Sequence, residues 1–153
     1  KAVIARVDVL TINDEEARQL SGERSLIKAA RLILNMGPRY LVIKKGEHGA
    51  FLFHVEDGQV QYFFCPALPL EDVVDPTGAG DTFAGGFIGH IARRGSTDFD
   101  TLKQGVVVGS ALASFTCEEF GTDGIRSVST AELEGRIDAF RRMTDWKPQL
   151  VEA

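Results

Sequence analysis

The residues whose types and spacing could do chemistry lie in one stretch, D-V-V-D-P-T-G-A-G-D-T-F-A-G-G-F, from Asp72 to Phe87. Gly78-Ala79-Gly80 is a run of minimal side chains that feeds into a helical pattern. A tight turn there leaves backbone N–H groups uncovered, and the start of a helix adds partial positive charge at the same point. The result is an anion hole made of main chain. Asp81 follows immediately, on the expected first turn of the helix. A carboxylate beside a phosphate site is repelled by it, and abstraction of a proton from a hydroxyl that attacks phosphorus would justify the placement. The bland reading of Asp81 is a helix cap. Other phosphate motifs fail: there is no G-x-x-x-x-G-K-[ST], and G-A-G-D-T-F lacks the third glycine of the dinucleotide fingerprint.

The elements that must position this turn follow from periodicity. Val7–Ile12 is β-branched and weakly alternating, the pattern of a strand. Asn13-Asp14 supplies a helix N-cap, with Glu15 and Glu16 suited to the positive end of the dipole, and this helix stops at Ser21-Gly22. Ser25 opens a second helix, with Leu26, Ala29, Ala30, Ile33 and Leu34 at three- and four-residue spacing, ended by Gly37-Pro38. Tyr40–Ile43 is a continuous apolar run, as in a strand buried on both faces. Together these read as a crossover unit of a parallel sheet.

Ala50–Val55 and Val60–Cys65 flank E-D-G-Q and predict a hairpin. Pro66, Pro69 and Pro76 exclude a regular helix from the next stretch. Beyond Gly78, Ala84, Phe87, Ile88, Ile91 and Ala92 form one helical face. Thr82, Gly85, Gly86 and Gly89 form another, bare enough for a second backbone or a flat ligand. A third helix covers Asp100 to Glu118, G-T-D-G from Gly121 breaks it, and Ser129 with Glu132 has capping-box spacing for a last helix carrying Leu133, Ile137 and Phe140.

D-P-T-G-A-G-D-T-F-A-G-G-F strongly resembles the second signature of the ribokinase-like carbohydrate kinases, the phosphofructokinase-B family, and the order of features around it matches over essentially the whole chain. The resemblance implies a three-layer α/β/α fragment with a mostly parallel central sheet, in which residues 1–153 are the C-terminal ATP-binding portion of one domain and the lid and N-terminal half are absent. It makes Asp81 the catalytic base and Gly78, Ala79 and Gly80 the source of stabilising amides. Asn13-Asp14-Glu15-Glu16 looks like the family's N-x-x-E motif, so Asn13 and Glu16 would steady Mg²⁺, its waters and the ATP phosphates, Glu16 acting through water. Lys44-Lys45-Gly46-Glu47-His48-Gly49 is similar to the segment bordering the nucleotide, with Lys44 near phosphate and Gly46 and Gly49 allowing close approach.

Thr77 and Gly121 border the same nucleotide site by resemblance. Ser110 falls where many relatives have Asn beside adenine and is a departure from the pattern. Asp75 and the Thr77 carbonyl match part of a monovalent cation (K⁺) site found in some members, with carbonyls near Cys117–Gly121 as further partners. The bland readings are a cap for Asn13 and Glu16, a solvated lysine for Lys44, and a turn brace before Pro76 for Asp75.

Composition sets the outer bounds. The 153 residues are the length of one ordinary domain, and 44% hydrophobic with 25% charged residues excludes a disordered, collagen-like or coiled-coil chain. A net charge of −5 lacks the broad positive field that attracts nucleic acid or anionic membrane, so neither partner is expected. No stretch approaches the roughly 20 consecutive apolar residues of a membrane span. The chain opens without Met and reads as mid-chain sequence. Cys65 and Cys117 form no CxxC, which suits a reducing, cytoplasmic setting. His48, His54 and His90 lack metal-ligand spacing.

The expected activity of the complete protein is ATP-dependent phosphorylation of an alcohol on a sugar or sugar-like molecule. A nucleoside kinase and a non-catalytic nucleotide-binding module are the alternatives. The family's habit of pairing through the lid makes a homodimer of the full-length protein a further expectation.

Overall fold

A computed structural model describes residues 3–147, so the expected range 1–153 exceeds the described residues at both ends. A single 3₁₀ turn, Ile4–Arg6, precedes the first strand, β1 (Val9–Asn13). Two helices follow, α1 (Asp14–Ser21) and α2 (Leu26–Leu34), then β2 (Tyr40–Lys44). Both helices begin at the expected caps. Asn13 Oδ1 accepts from the Glu16 amide at 2.7 Å, and the Ser25 hydroxyl accepts from that of Lys28.

A second 3₁₀ turn, Gly46–His48, leads into β3 (Ala50–Glu56) and β4 (Gln59–Cys65). Asp57 and Gly58 form the two-residue hairpin turn with φ of 50° and 74°, the backbone that an Asp-Gly pair favours. The remainder is helical: α3 (Ala79–Arg94), α4 (Phe99–Cys117), a short α5 (Asp123–Arg126) and α6 (Thr130–Thr144).

The strands form one sheet in the order β1-β2-β3-β4. β1 and β2 run parallel, with Asn13 directly opposite Lys44, whereas β2–β3 and β3–β4 are antiparallel. Among the described residues the sheet is therefore not mostly parallel. The reason is chain length: residues 45–49 are too few for the crossover of a dozen or more residues that a parallel neighbour requires.

The three-layer arrangement is as expected. On one face Leu41, Ile43 and Phe53 pack against Ala17 of α1 and Ala30 and Ile33 of α2. On the other, Tyr40, Val42 and Leu52 meet Phe83 and Phe87 of α3, Leu102 and Val106 of α4, and Phe140 of α6. This two-sided burial is why Tyr40–Ile43 is apolar without alternation.

α3 lies against α4 at very close range. A Cβ on Gly109 would sit 2.7 Å from the Phe83 carbonyl oxygen, and one on Gly86 3.1 Å from Gly109 Cα. The bare face of α3 is used here for backbone approach. Gly85 and Gly89 of the same face look onto open space, and Ile88, expected on the packed face, is 55% exposed. Among the described residues no helix is long and apolar enough to cross a membrane.

Candidate active site

β1 and β2 end side by side, so their last residues, Asn13 and Lys44, share one edge of the sheet. Ligands of α/β proteins gather at the carboxyl ends of parallel strands. The N-terminus of α3 comes to the same place: Lys44 Nζ reaches Gly80, and Phe83 and Phe87 share one core cluster with Tyr40 and Val42 of β2. Between them is a cleft of about 1020 Å³, a size at the upper end of small-molecule sites.

Lys44 Nζ lies 3.0 Å from the position that a Cβ on Gly80 would take, so the ammonium sits directly over the second glycine of the turn. Any larger residue at Gly80 would have to displace it.

The turn itself is closed by its own backbone. Gly78 is the N-cap of α3 at φ 83°, a left-handed conformation that side-chain-bearing residues avoid. The Ala79 amide donates to the Pro76 carbonyl at 3.1 Å, and those of Asp81 and Thr82 to the Gly78 carbonyl at 3.0 and 2.9 Å. Among the described residues, the amides of Gly78 and Gly80 donate to no protein acceptor, which leaves two donors at the positive end of a 16-residue helix. Ala79, expected as a third donor, spends its amide on closing the turn.

Asp81 is exposed, and its carboxylate makes no cap and, among the described residues, has no hydrogen bond or ion pair. Capping therefore does not explain it.

The other expected residues divide. Lys44, Gly46, Gly49, Ala79, Gly80, Ser110 and Asn13 line the cleft, whereas Glu16, Asp75, Thr77, Gly78, Asp81 and Gly121 are not among its lining residues. Gly49 holds its place by contact: a Cβ there would strike the Cys65 carbonyl at 2.1 Å. Gly46 and Gly121 have open space around them.

Asn13 and Glu16 engage each other. The Glu16 carboxylate accepts from the Asn13 amide at 2.8 Å, which completes a capping box. Asp75 Oδ1 accepts from the Thr77 amide at 2.9 Å, and the Thr77 side chain, together with that amide, holds the Asp75 carboxyl below its ordinary range. The Cys117 carbonyl, considered for a cation, accepts from the amides of Val74 (2.8 Å) and Asp75 (3.3 Å).

The apolar wall of the cleft was not anticipated. Leu68, Pro69, Leu70 and Val73 supply it, from the proline-punctuated stretch, with Ser114 and Cys117 from α4 opposite. The signal was present: apolar residues in P-A-L-P-L without helix or strand period must pack as a wall rather than as an element. Burial holds the Cys117 thiol above its usual range, reinforced by the nearby Glu118 and Asp75 carboxylates.

A family model described as pfkB family carbohydrate kinase matches residues 1–128. Cytidine kinase of Thermococcus kodakarensis is 38% identical over 95 residues, covering 61% of this chain and 32% of that protein. The ribokinase of Haemophilus influenzae is 28% identical over 124 residues, 78% of this chain and 37% of that one. Among solved structures, aminoimidazole riboside kinase from Salmonella enterica, complexed with aminoimidazole riboside and an ATP analogue, superposes with a TM-score of 0.73. It is 27% identical, over 88% of this chain and 43% of that one. The chain thus spans about a third of the length of the curated relatives it matches. With a family model covering well over half of its residues and the fold shared with solved members, the chain belongs to the pfkB family of carbohydrate kinases.

Proposed function

We propose that this chain is the C-terminal, nucleotide-binding portion of an enzyme that transfers the γ-phosphoryl group of ATP to an alcohol of a sugar or sugar-like molecule. The observation that carries the reading is the convergence of Lys44, the unpaired amides of Gly78 and Gly80, and the unpartnered Asp81 at the N-terminus of α3. In this reading ATP lies along the cleft, with its base against the apolar wall and Ser110 and its γ-phosphate at the turn. Asp81 accepts the proton of the acceptor hydroxyl, whose oxygen bonds to the γ-phosphorus as the bond to the ADP oxygen breaks. The two amides and Lys44 offset charge that builds on the transferring group, which is most of what phosphoryl transfer asks of a protein.

The residues present also fit Mg²⁺. Asn13 lines the cleft, and Glu16 accepts the Asn13 amide through one carboxylate oxygen, which leaves the other for a water of the ion. Among the described residues no three acidic, histidine or cysteine side chains form a direct cage, as suits an ion held mainly by phosphate oxygens and water. Bound there, Mg²⁺ would neutralise the β- and γ-phosphates.

A nucleoside acceptor is the second reading, favoured by the 38% identity to a protein named cytidine kinase. The test is ADP release by the full-length protein with ATP and Mg²⁺, over a panel of pentoses, hexoses, sugar acids and nucleosides. Turnover with one class names the acceptor. Absence of turnover with all of them, alongside measurable ATP binding, would leave the non-catalytic module standing and sink the kinase reading.

A further inference from the structure

Outside the turn, one cation is held more fully than helix packing alone asks. Arg136 of α6 is 17% exposed. Its Nη1 donates to Ser114 Oγ at 2.6 Å, its Nη2 donates to the Glu118 carboxylate, and its Cζ lies 3.7 Å from the centroid of the Phe115 ring. All three partners sit on the last turn of α4 and its C-cap. Donation from two nitrogens of one plane, with an aromatic ring against its face, is what a guanidinium can do and a lysine cannot.

The signature loop hangs from that same end of α4. The Cys117 carbonyl takes the Val74 and Asp75 amides, the residues just before Pro76-Thr77-Gly78. One residue earlier, the Thr116 hydroxyl meets that of Thr82 on the first turns of α3, at 3.0 Å. Ser114 and Cys117 also face the cleft. The last carbonyls of a helix lack partners within it, so their direction depends on what is fixed around them.

We infer that Arg136 is a positioning residue for the nucleotide site. It clamps the end of α4, and thereby sets the cleft wall at Ser114 and, through the Cys117 carbonyl, the register of residues 74–78. It touches no reacting atom. The assignment of nucleotide as the ligand rests on the proposed function; the mechanical role does not.

The experiment uses the full-length protein as wild type, Arg136→Met and Arg136→Lys, with Arg141→Met as a control on an α6 arginine whose side chain is 76% exposed. Amide hydrogen exchange is read without ligand. Residues 72–82 should exchange at least tenfold faster in Arg136→Met and to an intermediate degree in Arg136→Lys. They should be unchanged in Arg141→Met, while β2 and β3 keep wild-type rates throughout. In turnover, the KM for ATP should rise tenfold or more in Arg136→Met with the KM for acceptor within twofold.

Unchanged exchange at 72–82, or acceleration by one common factor across the whole chain, overturns the positioning role. If Arg136→Met does not fold, the same two patterns are read in Arg136→Lys. Faster exchange with an unaltered KM for ATP overturns its link to the nucleotide. A wild-type protein without ATP-dependent turnover defeats the kinase reading instead, and the exchange pattern still decides what Arg136 does.

Discussion

Lys44 Nζ and Gly80 meet at the cleft, the ammonium 3.0 Å from where a Cβ on the glycine would lie, although 36 positions separate them in the chain. A cation over a bend of free amides concentrates positive charge at one point of an otherwise acidic protein. Lys44→Met should weaken ATP binding by about tenfold or more, the scale of about 1.4 kcal/mol, and flatten its salt dependence. Gly80→Ala should do likewise by pushing the ammonium aside. Calorimetric titration of ATP at two ionic strengths checks both, and an unchanged affinity would remove Lys44 from the phosphate site.

Asp81 has no structural partner to lose, so its replacement isolates the chemistry. On the proposed reading, Asp81→Asn in the full-length protein should lower kcat by about 10²–10⁴, the usual worth of a general base, with ATP affinity within a few-fold and melting temperature unmoved. Turnover close to wild type would defeat the assignment.

The helical expectations rest on signals that act locally. Asn13, Ser25 and Ser129 cap helices where their side chains can reach the next turn's amides, and Asp57-Gly58 turns the hairpin because its backbone twist suits the strands. What was not legible depends on distant neighbours. G-T-D-G reads as a break, yet Asp123–Arg126 coils into a short helix, where Gly124 rests so close to Phe115 that a Cβ would lie 2.1 Å from its carbonyl oxygen. The turn's glycines announced a tight bend with uncovered amides, but which amides stay free depends on the Pro76 and Gly78 carbonyls, and no residue type encodes that.

The α3–α4 contact separates glycines needed for space from glycines that are not. Gly109→Ala forces a methyl against the Phe83 carbonyl and should lower stability by about 1–3 kcal/mol. Gly85→Ala, on the open side of α3, should gain up to about 1 kcal/mol from helix propensity. Urea unfolding of the two variants should therefore move in opposite directions. A Gly109→Ala variant as stable as Gly85→Ala would show that the crossing is looser than described.

Cys65 is 2% exposed, and burial pushes its thiol up to about 11 from 9.0, with a Ser110 contact pulling weakly the other way. The folded state holds this proton more tightly than the unfolded chain, so the linked stability is intact below pH 9 and drains away as pH climbs towards 11. Two units correspond to about 2–3 kcal/mol. Against wild type, Cys65→Ala should show a flatter loss of denaturation free energy across that window. Parallel curves would mean that the thiol ionises freely.

The glycine crossing of α3 and α4 has a mechanical side. Where a methyl would already collide with a carbonyl, two rods cannot slide past each other without the same collision, and close-packed surfaces of this kind shift in jumps or not at all. The pair therefore behaves as one slab, and adjustment to a guest must come from the thinner parts around it: the proline-punctuated strap ahead of the bend and the glycine-bounded 3₁₀ corner after β2.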